Sequence, residues 1–258
     1  MSGILAFEGT IRRRLLVNFR VTPDVLVSIL PPPFEPRLVR GWGMAGICLI
    51  GLSDLRPQGL PSRVGLRTEN VAHRIAVEWN TESGRRQGVY IPRRDTNSLL
   101  TRALGGRFFP GIHHRGFFSI TEDCGMISVR MRSADGVTDV FVRGRVGQQL
   151  TEGSVFESLT EASKFFEVGS LGFSPSANFD RFQGLELVAD RWQVDPLQIE
   201  AVESSFFRNT DLFASNSVEF DSALVMRGIP CRWRSFGSME SGPMKIIRVS
   251  PAAAAARH

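Results

Sequence analysis

Lysine, cysteine and histidine are all scarce in this chain of 258 residues, and each scarcity excludes a class of protein or site. Lys164 and Lys245 are the two lysines, so nearly all of the 31 basic residues are arginine. The three cysteines, Cys48, Cys124 and Cys231, are widely spaced and form no CxxC pair. This odd, scattered set argues against a disulfide scaffold and a zinc site, and it favours a reducing cytoplasm.

Long apolar runs are also missing. The longest candidate, residues 44–52, is interrupted by Gly46 and Gly51 and is far shorter than the roughly 20 residues of a membrane helix. Residues 1–8 contain no basic segment followed by an apolar stretch, as a secretory signal would require. We therefore expect no membrane association and a cytoplasmic location.

The net charge of +5 raises the question of nucleic-acid binding. The arginines fall in short separate clusters, at residues 12–14, 85–86 and 93–94, and no long basic run or basic helix occurs. Most of the 19 phenylalanines occupy core-like positions instead of alternating with the basic residues. We expect a small-molecule ligand and no nucleic-acid partner. Whether the chain forms a homo-oligomer stays open.

Period-2 alternation of apolar and polar residues is the main pattern in the chain. It runs over residues 11–21 and again over 71–79, which predicts two half-buried strands. Turn sequences at 122–125 and 133–136 predict a three-stranded β-meander over about 112–146. Further short strands are predicted at residues 185–188, 191–194, 199–206 and 218–226.

Helix signals are few. Thr22 and Pro23 predict the start of a short helix that ends before residues 31–33, which are all proline. Asp95 or Thr96 is expected to cap a second helix, and a capping box formed by residues 154 and 157 is expected to open a third, which ends at Gly169. The sequence predicts a mainly β (α+β) single domain over 1–258 with about three short helices and a frayed tail at 244–258.

Three histidines are candidates for chemistry. His113 and His114 are adjacent, so on a strand their side chains point to opposite faces and at most one of them faces a given cavity. His73 is the third, but no HxH, HxxxH or HExxH spacing supports a metal site. Each histidine is either a general acid or base, or a residue that satisfies a backbone or carboxylate partner. We expect no metal and no cofactor.

Glu69 is the leading candidate for a general base. It precedes His73 by four residues, so both side chains lie on the same face of the predicted strand. A carboxylate desolvated at a cavity mouth has a raised pKa and can accept a proton from a substrate. The alternative is an ion pair with Arg67 or another arginine.

Arg94 is a candidate anion ligand because a guanidinium group binds a carboxylate or phosphate through two parallel hydrogen bonds. Its alternative role is to pair with Asp95 or to cap the next helix. We therefore predict Glu69, His113 and His114 as catalytic residues and Arg67, His73 and Arg94 as ligand-binding residues.

Several segments, taken together in their order and spacing, resemble the YqjF-like family of unknown function, which belongs to the acetoacetate-decarboxylase-like superfamily. They are residues 14–18, 31–34, 39–52, 66–70, 88–95, 109–115 and 220–224. The resemblance covers about residues 10–235. It implies a closed antiparallel β-barrel of the acetoacetate-decarboxylase-like type, with flanking strands and a ligand cavity inside.

The resemblance also bears on the chemistry. In the decarboxylases of this superfamily a lysine that follows a Phe-Pro element forms a Schiff base with a β-keto acid, and acetoacetate decarboxylase is the standard example of such an activated lysine. Here Phe109 and Pro110 are followed by His113 and His114, with no lysine nearby. Glu69 matches the position of a cavity carboxylate in those enzymes. The resemblance therefore implies a cavity, and the missing lysine implies that imine chemistry does not occur in it.

Three functions are consistent with this. The first is binding of an organic acid or keto compound in the cavity, without Schiff-base decarboxylase chemistry. The second is a lyase, hydratase or isomerase that uses Glu69 and a histidine as an acid–base pair. The third is a noncatalytic sensor or regulatory partner protein.

Overall fold

Strands dominate the fold, which confirms the mainly β prediction. The computed structural model describes residues 6–103 and 111–240. Within these residues the strands are β1 Phe7–Val21, β2 Glu35–Pro36, β3 Leu38–Val39, β4 Trp42–Pro57, β5 Leu66–Thr81, β6 Gly84–Thr96, β7 His113–Asp123, β8 Met126–Ser133, β9 Asp139–Val146, β10 Leu171–Pro175, β11 Arg181–Ala189, β12 Asp195–Ser204 and β13 Val218–Glu240. The predicted meander corresponds to β7, β8 and β9.

Short helices connect some of these strands. They are α1 Pro23–Ile29, α2 Leu99–Ala103 and α3 Leu159–Val168, with one 3-10 turn at Ser62–Val64. α1 begins after Thr22 with proline in its first turn, as the sequence predicts. The predicted start of α2 was wrong, because Thr96 ends β6 and the Ser98 hydroxyl accepts the cap hydrogen bond from the Thr101 backbone at 3.1 Å.

The predicted capping box of α3 was wrong by one turn. The pattern Ser-x-x-Glu occurs twice in succession, and the second copy caps the helix. The Ser158 hydroxyl accepts from the Glu161 backbone at 3.1 Å, and the Glu161 carboxylate accepts from the backbone of Glu157, the residue before the cap, at 2.8 Å. The Ser154 hydroxyl donates instead to Asp221 at 2.8 Å. A long-range contact therefore decides between two local sequences of equal quality. α3 ends at Gly169, as predicted.

The paired strands form two closed paths. One path runs from β6 through β7, β8, β9, β12, β13, β1, β4 and β5 back to β6. A second path shares β13, β1, β4, β5 and β6 with the first and returns through β10 and β11. The pairs β6–β7 and β6–β10 are parallel and the other strand pairs of these two paths are antiparallel, so the pairing is mainly antiparallel.

The shared strands bury both of their faces. Alternate residues along β1 and β4, such as Val17 and Ile47, belong to a first hydrophobic core. Their neighbours Leu16 and Cys48 belong to a second core, to which α3 contributes Phe166. These strands are therefore sandwiched between two packed layers.

Two strand predictions differ from the structure. Residues 191–194 form no strand, because the chain turns there between β11 and β12, and β10 was not predicted. The predicted frayed tail at 244–258 and the Phe109-Pro110 element lie outside the described residues. The single-domain assignment stays a prediction.

Across the described parts of the chain, every helix is too short or too polar to cross a membrane.

Candidate functional site

The candidate site is a cavity of about 120 Å³ against the second core. Each of the seven strands on the path through β10 and β11 contributes to its wall. Part of the wall is apolar and is formed by Ile50, Leu52, Leu55, Val89, Ile91, Leu185, Leu187 and Trp233. The polar lining residues include Arg14, Cys48, Asn70, Arg74, Arg94, Asp95, Thr101 and His113. The carboxylate among them, that of Asp95, pairs with Arg93 at 2.8 Å.

Three arginines give the cavity its charge. Arg14 and Arg74 are 7% and 6% exposed, and Arg94 is partly buried. Arg14 Nε donates to Cys48 Sγ at 3.3 Å, Arg74 Nη2 to Asn18 Oδ1 at 2.5 Å and Arg94 Nε to Ser174 Oγ at 2.9 Å. Within residues 6–103 and 111–240, none of the three forms an ion pair with a carboxylate.

Aromatic rings and a glycine hold two of these guanidinium groups in place. The Arg14 guanidinium lies 5.6 Å from the Trp192 ring centroid, and that of Arg74 lies 4.8 Å from the Phe166 ring. A Cβ at Gly46 would lie 2.5 Å from the Val17 carbonyl oxygen and 3.4 Å from Arg74 Nη2. Glycine is therefore needed where the strands and this arginine come together.

Arg74 and Arg94 stay charged despite their burial. Burial lowers the pKa of Arg74 to about 10, with a further lowering by Arg14 and an opposing effect of Cys48. Burial likewise lowers the pKa of Arg94 to about 10, and Cys48 opposes the change. Both values remain well above neutral pH, so the cavity is electropositive when it is empty of anions.

Strand register explains which of the adjacent histidines faces the cavity. In the parallel β6–β7 pair, Arg94 is opposite His113 and Asp95 is opposite His114. His113 lines the cavity together with Arg94. His114 Nδ1 instead lies 3.1 Å from the carboxylate of Asp135, and burial lowers its pKa. The expectation that at most one of the two faces the cavity agrees with this geometry.

The expected pairing of Arg94 with Asp95 was wrong by one residue. Arg93 pairs with Asp95 and Asp135, both at 2.8 Å. Arg93 and Arg94 follow one another on a strand and so point to opposite faces. This leaves Arg94 at the cavity, where the sequence analysis placed it.

Glu69 lies on the face opposite the cavity. Asn70 and Arg74, which line the cavity, have the other parity along β5. The Glu69 carboxylate accepts hydrogen bonds from Arg12 and, at 2.6 Å, from Arg13. The ion-pair alternative is therefore what the structure describes, with Arg12 and Arg13 as partners in place of Arg67. A catalytic role for Glu69 stays a prediction.

His73 and Arg67 do not line the cavity either. His73 is fully buried in the first core, with its ring 4.6 Å from that of Phe206 and Nε2 3.4 Å from the Ser204 hydroxyl. Burial, assisted by the charge of Arg93, lowers its pKa to about 3, so it is neutral at physiological pH. Arg67 is exposed near the start of β5.

The sequence analysis missed three residues at this site: Arg14, Arg74 and Cys48. Arg14 stands in a cluster of three arginines, and Arg74 alternates with the apolar residues of β5, so both read as solvent-facing. Alternation shows which face of a strand is apolar, but it does not show that the polar face is covered too. The segments of the family resemblance include Arg14 (residues 14–18) and Cys48 (residues 39–52), but not Arg74.

Comparison with known proteins agrees with the fold. The model of the DUF2071 family, described as an uncharacterized conserved protein (COG2071), matches residues 8–226. A search of the curated proteins gave no significant match.

Several solved structures share the architecture. An acetoacetate decarboxylase from Legionella pneumophila aligns with a TM-score of 0.62 and 12% identity, over 91% of this chain and 87% of that one. An acetoacetate decarboxylase-like enzyme from Sphingomonas wittichii RW1 gives 0.56 and 14%, over 93% of both chains. The enduracididine biosynthesis enzyme MppR, in complex with pyruvate, gives 0.52 and 13%, over 93% and 91%. These likenesses establish an acetoacetate-decarboxylase-like fold, which is the fold that the family resemblance implies.

Proposed function

The chain belongs to the uncharacterized conserved family DUF2071 (COG2071), and we propose that it binds a small organic acid, as the carboxylate, in the cavity lined by Arg14, Arg74 and Arg94. One observation carries the proposal: three arginines line a largely apolar cavity and have no carboxylate partner among the described residues. Burying an unpaired charge is costly, and a bound anion offsets that cost.

The size and composition of the cavity support a small ligand with an apolar body. A volume of about 120 Å³ suits a compound of only a few carbon atoms. Guanidinium groups favour planar carboxylates because they present parallel donors. The co-crystallised pyruvate of MppR is a compound of this class, held by a protein of the same fold.

A closed β-barrel around this ligand is part of the proposal. The pairings from β13 through β11 and β10 to β6 complete a ring with β5, β4 and β1, and all seven strands carry lining residues. Such a closed ring removes unpaired strand edges and isolates the cavity from solvent.

The positions of the lysines favour binding of the acid without formation of an imine. Lys164 is exposed on α3, and the described residues that line the cavity include no lysine. Imine catalysis needs a neutral amine at the carbonyl group of the substrate. Incubation with acetoacetate and borohydride is expected to give no lysine adduct by intact mass, and an adduct accompanied by release of carbon dioxide would contradict this.

Isothermal titration calorimetry tests the binding directly. The probes are pyruvate, acetoacetate and pyruvamide, which has nearly the shape of pyruvate but no charge. We expect both acids to bind and pyruvamide to bind at least tenfold more weakly, because a charge-assisted hydrogen bond contributes about 1.5–3 kcal/mol. Equal affinity for pyruvate and pyruvamide, or no binding of either acid, would reject the proposal.

Acid–base catalysis is a second candidate, favoured by the position of His113 beside Arg94 at the cavity. A base there is in position to remove a proton next to the carbonyl group of a bound keto acid. Proton NMR in D₂O measures this as exchange of the pyruvate methyl protons, which His113→Asn is expected to slow. If pyruvate binds but its methyl protons do not exchange and no turnover is detected, the noncatalytic sensor is the remaining function.

A further inference from the structure

We propose that Cys48 is a nucleophilic thiol that forms a covalent bond with small carboxylates carrying an electrophilic carbon, which the cavity arginines hold beside it. This inference rests on the proposed function, since it requires an anion in the same cavity. It adds a reaction site that binding alone does not need.

The position of Cys48 comes from β4. The residue is 8% exposed and lines the cavity with Ile50, two residues further along the same face. Its sulfur accepts a hydrogen bond from Arg14 Nε at 3.3 Å. Arg74 and Arg94 line the same cavity. One cavity arginine therefore contacts the sulfur atom, and two more lie in the same cavity wall.

Unused donors on the same arginines independently indicate an anionic ligand. Arg14 Nη1 and Arg74 Nε are buried and have no hydrogen-bond partner among the described residues. Both side chains are more than nine-tenths buried and line the cavity. Buried guanidinium donors are normally satisfied, so these two open donors on cavity-lining arginines indicate an anionic ligand, and one of the two arginines also contacts the sulfur.

The reaction follows from these neighbours. Sulfur is the nucleophilic atom of cysteine, and here it lies in the wall of the cavity that the arginines line. With a conjugated carboxylate, the sulfur bonds to the β-carbon, the electron pair of the double bond moves to the α-carbon, and the thiol proton ends there. The product is a thioether, and the addition needs no oxidant or reductant.

The other two cysteines serve as internal controls. Cys124 is exposed in the turn between β7 and β8 and is not among the cavity-lining residues. Cys231 is buried, and burial raises its pKa to about 12, with smaller opposing effects of the Ile11 backbone and Arg14. We expect Cys124 to react without regard to the charge of the reagent and Cys231 to react little with any reagent.

Alkylation by a charged and a neutral reagent tests the proposal on the folded full chain. Iodoacetate and iodoacetamide both transfer a carbon to sulfur and release iodide, but only iodoacetate is an anion. Peptide mass spectrometry measures the rate at each cysteine. We expect the ratio of the iodoacetate rate to the iodoacetamide rate to be at least tenfold higher at Cys48 than at Cys124. Arg74→Gln is expected to reduce the ratio at Cys48 only, and saturating pyruvate to slow iodoacetate at Cys48 only.

The outcomes separate this proposal from the proposed function. If pyruvate binds in the calorimeter but Cys48 is unreactive, or has the same rate ratio as Cys124, the nucleophile is rejected and carboxylate binding stands. If pyruvate does not bind and Cys48 shows no preference for iodoacetate, both proposals fail. Cys124→Ser is the matched variant, and it should leave the rates at Cys48 unchanged.

Discussion

Arg13 and Arg14 are neighbours in β1, yet the strand directs their side chains to opposite faces with different partners. Arg13 is fully buried and donates to the carboxylates of Glu69 and Glu122, both at 2.6 Å. Arg14 is almost as deeply buried, but its partners are a thiol and an aromatic ring. Two identical side chains at similar depth therefore have their charge balanced on one face and unbalanced on the other.

This difference separates structural from functional arginines. A buried ion pair is strongly destabilised when one partner is removed, because the other charge then stays buried and uncompensated. A buried charge without a partner costs stability in the folded protein and is retained where a ligand supplies the counter-charge. The face of Arg13 accordingly stabilises the fold, and the face of Arg14 is where we propose that the carboxylate binds.

Replacing each of the two arginines by methionine gives the largest expected effect. Arg13→Met leaves Glu122 without its closest partner and Glu69 with one guanidinium fewer, and we expect a loss of about 3–5 kcal/mol in the free energy of unfolding. Arg14→Met removes a charge that no carboxylate balances, so the free energy of unfolding should stay within about 1 kcal/mol of wild type or rise. Urea unfolding measures both free energies. Equal losses in the two variants would contradict the proposed difference between the two faces.

Glu69→Gln tests the same comparison from the acidic side. The substitution removes the negative charge that Arg12 and Arg13 share, and we expect a loss of about 3 kcal/mol in the free energy of unfolding. Pyruvate affinity should be unchanged, since Glu69 is not among the cavity-lining residues. A variant with wild-type stability and weakened pyruvate binding would restore Glu69 as a site residue.

His73 sharpens the comparison through pH. Its pKa of about 3 in the folded protein lies below the usual 6.5, so the unfolded chain binds a proton that the folded chain does not. The stability that neutral His73 contributes is complete above pH 6.5 and is lost as the pH falls toward 3. Between pH 6.5 and 5 the expected loss is about 2 kcal/mol. His73→Gln should lack this component in urea unfolding, and an unchanged pH slope would contradict the account.

The sequence predicted much of this fold because strand alternation and turn sequences are local signals. The alternation in β5 correctly placed Glu69 and His73 on one face. The cavity lies on the other face. It depends on β10 and β11, which complete its wall, and on Phe166 of α3, which packs against Arg74, and all of these are distant in the chain. The choice of His113 over His114 likewise depends on the parallel register with β6, which no local pattern encodes. Long-range cover and register were the missing information.

The central claim is that the unbalanced cavity arginines bind a carboxylate, and pyruvate affinity in two matched variants tests it most directly. Arg74→Gln removes a cavity charge, whereas Arg67→Gln removes an exposed charge from the same strand. We expect calorimetry to show at least a tenfold rise in the Kd of pyruvate for Arg74→Gln and no change for Arg67→Gln. Wild-type affinity in Arg74→Gln, or an equal loss in Arg67→Gln, would contradict the account.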